Sequence, residues 1–201
     1  MWIHSRLTSS TVNGPGTRAV IWTQGCTLAC PGCWNPSTHP VLIDGKARAG
    51  ERIGNQRLAQ WVVDLKGTIE GVTLSGGEPL QQSHAVADFC WCLKELWPEV
   101  SIGLFTGLSL KEVESKVHLL GGTYWEKIKS HLDFAVMGRY VQSIPSTKPL
   151  CSSSNQKVMF FTNRYSHKDL APQQMELQIS ESGLVEITGF PNKGLELGRE
   201  L

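Results

Sequence analysis

The chain has 201 residues, a formal net charge of +1 and 40% hydrophobic residues. That length suits one domain with a substantial core, and the near-zero charge excludes nucleic-acid binding through bulk charge. No apolar run approaches a membrane span, and the N-terminal MWIHSRLTSS lacks the basic-then-apolar order of a signal peptide. The expectation is therefore a cytoplasmic protein with no membrane contact. In a reducing compartment its six cysteines point to metal or redox chemistry more than to disulfides.

In chain order, Asn13 to Gly16 reads as a turn. Arg18 to Thr23 (RAVIWT) is a buried strand running into a cysteine-bearing loop, and Pro40 to Glu51 reads as loop. Gln56 to Lys66 places Leu58, Trp61, Val62 and Leu65 on one helical face, with Gly67 as the stop. Glu70 to Leu74 is a second strand. Leu80 to Leu96 is a helix with Val86, Phe89, Leu93 and Leu96 inward, ending before Pro98. Val100 to Phe105 is a third strand, and Ser109 caps a helix through Leu120 that stops at Gly121-Gly122. Leu132 to Met137 is a fourth strand. A Pro- and Ser-rich connector from Ser143 to Ser154 leads to a strand at Lys157 to Thr162. Met175 to Ile179 and Leu184 to Thr188, joined by Glu181-Ser182-Gly183, read as a β-hairpin, and the tail after Pro191 as loose. Alternating strand and helix from Arg18 to Met137 gives an α/β fold with a parallel sheet. The unusual loops all follow strand C-terminal ends, the edge where such sheets carry ligands.

Two of those loops carry chemistry. Cys26, Cys30 and Cys33 stand in a C-x3-C-x2-C spacing among Gly25, Pro31, Gly32 and Pro36. Zinc sites close with four ligands and cubane iron–sulfur clusters take four cysteines. Three thiolates thus suggest a [4Fe-4S] cluster with one open iron; a zinc loop completed by His39 is the bland alternative. The second loop, Ser75-Gly76-Gly77-Glu78-Pro79, follows the second strand. Its glycines let backbone approach a ligand, and Glu78 with freed carbonyls offers acceptors to a cationic amine. The bland alternative is a strand-to-helix turn with Pro79 at a first helical position.

C-x3-C-x2-C after the first strand and GGEP after the second resemble the radical S-adenosylmethionine (SAM) superfamily. Within it, Gly25-Cys26 and Cys30-Pro31-Gly32-Cys33-Trp34-Asn35 resemble the anaerobic ribonucleotide reductase activating proteins, a group of glycyl-radical activating enzymes. Thr106-Gly107, Gly138-Arg139-Tyr140 and Ser153-Ser154-Asn155-Gln156 also match, and Thr188-Gly189-Phe190-Pro191 resembles an extension in some relatives. The resemblance implies a partial, open radical SAM α/β barrel with mostly parallel strands: residues 1–165 as the core domain and 166–201 as a C-terminal β-hairpin extension of it. It implies Cys26, Cys30 and Cys33 as ligands of a [4Fe-4S] cluster. For SAM it implies Ser75, Gly76, Gly77 and Glu78 at the methionine amine, Gly32, Cys33 and Trp34 beside the cofactor, and Thr106 near the ribose or carboxylate. No catalytic residue is implied beyond these.

The implied activity is reductive SAM cleavage, giving a 5′-deoxyadenosyl radical that takes a hydrogen from a glycine of a partner enzyme. The best candidate partner is an anaerobic ribonucleoside-triphosphate reductase, and a low-potential donor such as flavodoxin or ferredoxin supplies the electron. Two rivals stand beside it: a radical SAM enzyme acting on a small molecule or peptide, and a non-catalytic iron–sulfur or zinc module. Met137, where those proteins carry an acidic residue, and Cys151-Ser152, where some carry Arg-Gly, depart from the pattern and leave the substrate open. Cys90 and Cys92 flank Trp91 within one helix and suit core packing. The histidines other than His39 form no ligand pair, and Arg48 and Arg52 near the cysteine loop read as solvated.

Overall fold

The computed structural model of the chain describes residues 1–40, 50–115, 124–179, 183 and 185–190. Its centre is a run of four parallel strands: β2 (Arg18–Thr23), β4 (Gly71–Gly76), β5 (Ser101–Thr106) and β6 (Phe134–Met137). These segments are near-continuous apolar runs because a central parallel strand is covered on both faces. The flanks are antiparallel. β1 (Trp2–Ser10) pairs with β2 and with the two-residue β3 (Glu51–Arg52), while β7 (Lys157–Phe160) pairs with β6. The seven strands run in the order β3-β1-β2-β4-β5-β6-β7, an open sheet with β3 and β7 at its edges.

β6 shows how the two faces are filled. Ala135 and Met137 point into the main core, and Phe134 and Val136 into a second cluster with Leu150, Cys151 and Leu170. The main core receives α1 (Asn55–Val63) and α2 (Ser83–Leu96), which pack side by side. Leu58, Ala59 and Val62 of α1 and Val86, Phe89, Cys90 and Leu93 of α2 face inward. Leu58, Val62, Phe89 and Leu93 have no solvent exposure, and each such side chain contributes roughly 1.5–3 kcal/mol. α1 ends at Val63, short of the expected Lys66, and Gly67 lies in the following turn at φ +95°. α2 begins only at Ser83, after a 3-10 turn over Pro79–Gln82. Leu96, expected inward, is 49% exposed, at the last residue of α2.

α3 (Leu110–Glu114) starts from a full capping box in which Ser109 accepts from the Glu112 N–H and Glu112 accepts from the Ser109 N–H. The helix expected through Leu120 ends at Glu114, with Ser115 extended at ψ 114°; residues 116–120 and the Gly121-Gly122 stop lie outside the described residues, as do Arg48, the Glu181-Ser182 part of the hairpin turn, Leu184 and the tail from Pro191. A short α4 (Trp125–Lys129) buries Trp125 and Ile128. β8 (Met175–Ile179) and β9 (Val185–Gly189) form a separate antiparallel hairpin. Its polar face is tied to the β1–β2 end of the sheet. Glu176 accepts from the Ser10 hydroxyl and Thr11 N–H, Gln178 donates to the Ser9 carbonyl, and Asn13 donates to Thr188. No helix among the described residues is long and apolar enough to cross a membrane.

Candidate functional site

The cysteine loop leaves the C-terminal end of β2 and is closed into a ring by its own ends. Gly25 N–H donates to the Thr38 carbonyl (2.8 Å) and Cys26 N–H to the His39 carbonyl (3.2 Å). Inside the ring, Cys33 N–H donates to the Cys30 carbonyl (3.1 Å). The chain doubles back through left-handed residues: Gly25 (φ +104°), Gly32 (φ +69°) and, without a glycine's freedom, Ala29 (φ +46°). A left-handed non-glycine costs roughly 1–2 kcal/mol, so the ring holds Ala29 in a strained conformation of the kind that clusters at functional sites.

The three cysteines are free and half-buried. Burial pushes the thiols of Cys26 and Cys33 up. The Leu28 and Ala29 N–H groups on Cys26, and the Asn35 N–H on Cys33, pull the other way. Such N–H groups directed at sulfur are among the devices that set iron–sulfur potentials. Among the described residues no three His, Cys, Asp or Glu side chains converge closely enough to hold a single metal ion. His39 meets the loop through its backbone carbonyl, and no convergence with the cysteines supports a tetrahedral zinc site.

The SGGEP loop lies against this ring. Gly77 N–H donates to the Thr23 carbonyl and Glu78 N–H to the Gly25 carbonyl, both at 2.9 Å, and the Thr23 hydroxyl donates to the Ser75 carbonyl. A Cβ on Gly76 would sit 2.4 Å from the Thr23 nitrogen at φ +105°, and one on Gly77 2.3 Å from the Gly25 oxygen. The paired glycines thus let two loops touch, a requirement additional to ligand access. Gln81 reinforces the seam, accepting from Thr27 N–H and donating to its hydroxyl.

Glu78 is fully buried. Its carboxylate accepts from Leu80 N–H (2.9 Å), the Thr106 hydroxyl (2.8 Å) and Gly107 N–H (2.8 Å). Burial pushes this carboxyl above the usual range against those three donors and the nearby Arg139. The Thr106 hydroxyl in turn accepts from Leu108 N–H. Glu78 and Thr106 therefore spend their side chains on joining the ends of β4 and β5, while the half-buried backbone of Ser75 to Gly77 stays accessible.

A third loop, after β6, completes the rim. Arg139 donates to the Gly107 carbonyl (3.1 Å) and pairs with Glu112 (3.3 Å). Tyr140 meets the 41%-exposed Trp34 edge to face at 6.3 Å between centroids. The Ser153 to Gln156 run holds this loop from behind: Asn155 donates to the Arg139 carbonyl and Gln156 to the Gly138 carbonyl. A cavity of about 680 Å³ opens between Cys30 with its neighbours and residues 139–143. The tethering roles of Gln81, Arg139 and Gln156 had no local signature, since each bond joins residues remote in sequence.

Residues 12–159 match the family model described as a 4Fe-4S single cluster domain. Over 150 residues the chain is 31% identical to the anaerobic ribonucleoside-triphosphate reductase-activating protein of Enterobacteria phage T4, an alignment spanning 73% of this chain and 86% of that one. The chain belongs to this 4Fe-4S family of activating proteins. The proteins of the same name from Vibrio cholerae (31% over 136 residues, 65% of this chain and 79% of the relative) and Escherichia coli K12 (28% over 154 residues, 74% and 90%) are similar to it as well. Every residue of the cysteine ring, the SGGEP loop and the Arg139 loop lies within the family match, and the β8–β9 hairpin lies beyond it. The donor set fits the 4Fe-4S group of the family: three free thiols in one ring, two of them facing backbone N–H groups.

Proposed function

We propose that the chain is a radical SAM activating enzyme that generates a glycyl radical on an anaerobic ribonucleoside-triphosphate reductase, in a cytoplasmic setting with a low-potential flavodoxin or ferredoxin as electron donor. The observation that carries this reading is the seam between the two loops, Gly77 to Thr23 and Glu78 to Gly25, which sets the ring of three cysteines beside the SGGEP backbone. In this reading the open sheet is the partial barrel of the radical SAM fold, and its exposed mouth admits a protein loop.

Cys26, Cys30 and Cys33 would hold the cluster as its three thiolate ligands. A [4Fe-4S] group bound there would supply the electron for reductive cleavage of SAM to methionine and a 5′-deoxyadenosyl radical, the species that would take the Cα hydrogen of the partner's glycine. The chain's own task is placement. Backbone carbonyls of Ser75, Gly76 and Gly77 receive the methionine ammonium. The buried Glu78–Thr106 bond fixes that backbone relative to β5. Gly32 gives close approach beside Cys33, and Trp34 flanks the adenine. Removal of water and oxygen by the rim loops protects a radical that would otherwise react with them.

Anaerobic reconstitution followed by dithionite and SAM tests the reading. The expected products are 5′-deoxyadenosine and, with the reductase added, a glycyl electron-spin signal; a fully loaded cluster that yields no nucleoside would overturn it. Cys30→Ala should abolish the four-iron absorbance.

A further inference from the structure

β1 is irregular where it passes the cysteine ring. Ile3 pairs with Thr23 and Ser5 with Trp22, so two steps on β1 match one on β2 and His4 is the extra residue. A bulge of this kind re-aims a side chain, and the one re-aimed here reaches the ring from outside. Through Nδ1 the His4 ring meets Gln24, the residue before Gly25 at the ring's entrance, at 2.9 Å. Through Nε2 it meets the Ser37 hydroxyl on the ring's return limb, residues 34–40, at 3.4 Å.

Gln24 is the buried half of this contact, at 3% exposure. Its side-chain nitrogen donates to the Pro40 carbonyl (3.2 Å) and, at the limit of a hydrogen bond, to the Ser37 carbonyl (3.5 Å). A carbonyl only accepts, so the amide nitrogen faces those two groups and the amide oxygen faces His4. His4 must then donate from Nδ1, and in the neutral ring its Nε2 is left to accept from the Ser37 hydroxyl.

The two limbs of the ring are held by different means. The entrance limb is joined to the SGGEP side through Gly25 and Thr27. Among the described residues, hydrogen bonds from outside the ring reach the return limb only from Gln24 and His4. That limb carries Asn35, whose N–H faces the Cys33 sulfur and whose carbonyl accepts from the Thr38 N–H and hydroxyl. The position of the limb therefore decides how closely that N–H approaches the sulfur. A partial positive charge beside a cluster sulfur favours the more negative, reduced cluster and raises its potential.

We infer that His4 and Gln24 form a clasp that positions the return limb of the cysteine ring and, through it, sets the potential of the bound cluster. Both are positioning residues, acting through the limb that carries Asn35. The inference rests on the assignment of Cys26, Cys30 and Cys33 as cluster ligands and adds the residues that hold their ring in place.

Three variants test it. His4→Phe keeps a planar ring without nitrogens, Gln24→Met keeps the side chain's length without the amide, and His4→Asn restores a donor near the Nδ1 position. The midpoint of the reconstituted holoprotein is measured by redox titration of its electron-spin signal. Loss of one hydrogen bond to a charged group is worth roughly a factor of ten. At a fixed potential the reduced-to-oxidised ratio should thus fall about tenfold in His4→Phe and Gln24→Met, a midpoint about 59 mV lower for one electron, and His4→Asn should recover most of it. In the cluster-free chain, hydrogen exchange of the Gly25 and Cys26 N–H groups, which donate to the Thr38 and His39 carbonyls, should quicken severalfold in the same two variants. This second measurement needs no cluster, so it also decides for a variant that loads no iron. Parent-like values of either quantity in His4→Phe and Gln24→Met overturn the inference. Retained four-iron loading in Cys30→Ala strikes instead at the ligand assignment, and the exchange comparison still decides whether the clasp holds the ring.

Discussion

The Glu78 carboxylate is sealed from solvent and meets three donors, Leu80 N–H, the Thr106 hydroxyl and Gly107 N–H. Burial outweighs them and raises its pKa in the folded state. A carboxyl with a raised folded pKa binds its proton more tightly when folded, so its ionisation works against folding. The penalty is fully present above the folded pKa, fades as pH falls through it, and is gone below the ordinary glutamate value of about 4.3. Glu78→Gln removes that titration but turns an amide N–H toward Gly107 N–H, a mismatch of roughly 1–3 kcal/mol. The variant's deficit should therefore shrink as pH rises, because the parent loses stability and the variant does not. Urea unfolding of the cluster-free chain at a series of pH values measures it, and a deficit independent of pH would show that Glu78 does not titrate on folding. The Cys90 thiol of α2 shows the same physics without function: burial pushes it up to about 12, which keeps it an inert core residue.

At the scale of elements, the site is a seam between the ends of β2 and β4 and the loops that follow them, and Gly76 closes β4 directly against Trp22 and Thr23 of β2. Gly76→Ala puts a Cβ 2.4 Å from the Thr23 nitrogen at φ +105°, so the end of β4 that begins the SGGEP loop must move away from β2 at a cost of roughly 1–3 kcal/mol. Iron loading should survive, since no cysteine moves, while SAM affinity falls at least tenfold by calorimetry, about 1.4 kcal/mol. Gly54→Ala, where a Cβ meets nothing within 4 Å, serves as the control. Unchanged SAM affinity in Gly76→Ala would separate the seam from cofactor binding. β2, β4, β5 and β6 were legible in sequence because each is an apolar run with turn residues at its ends. β1 was not: in WIHSRLTSS only Ile3 and Leu7 are buried apolar residues, and bulges interrupt their alternation. α4, at five residues, is too short to show a period. The paired glycines and three cysteines were legible as motifs, but the closure of Glu78 onto Thr106 was not, since it depends on two strands becoming neighbours.

Across the whole molecule the sheet has two dissimilar ends. The cysteine ring, SGGEP and the Arg139 loop occupy the C-terminal ends of the parallel strands. At the other end of β2, about 17 Å from Thr23 at 3.3 Å per residue, stands a fully buried Arg18. Its guanidinium donates to the Thr73 and Ser101 hydroxyls and to the Pro15, Val72 and Ser101 carbonyls, and lies over the Phe134 ring at 5.0 Å. Burial pushes its pKa down, with the Tyr165 hydroxyl and then Asp133 pulling it back. One cation thereby joins β2, β4 and β5, and the β8–β9 hairpin docks at the same end through Ser9, Ser10 and Asn13. Arg18→Met recovers the cost of burying a charge but strands several acceptors at roughly 1–3 kcal/mol each, so the acceptors decide the sign. A net loss of about 2–4 kcal/mol lowers Tm by roughly 5–15 °C in a chain of this size. Arg18→Lys, with three donors and no planar fork, should fall between. Thermal unfolding by circular dichroism gives the Tm values, and iron content and SAM affinity well below Tm should match the parent in both variants. A parent-like Tm in Arg18→Met would mean that hydrophobic contact with Phe134, and not the guanidinium bonds, holds this end of the sheet together.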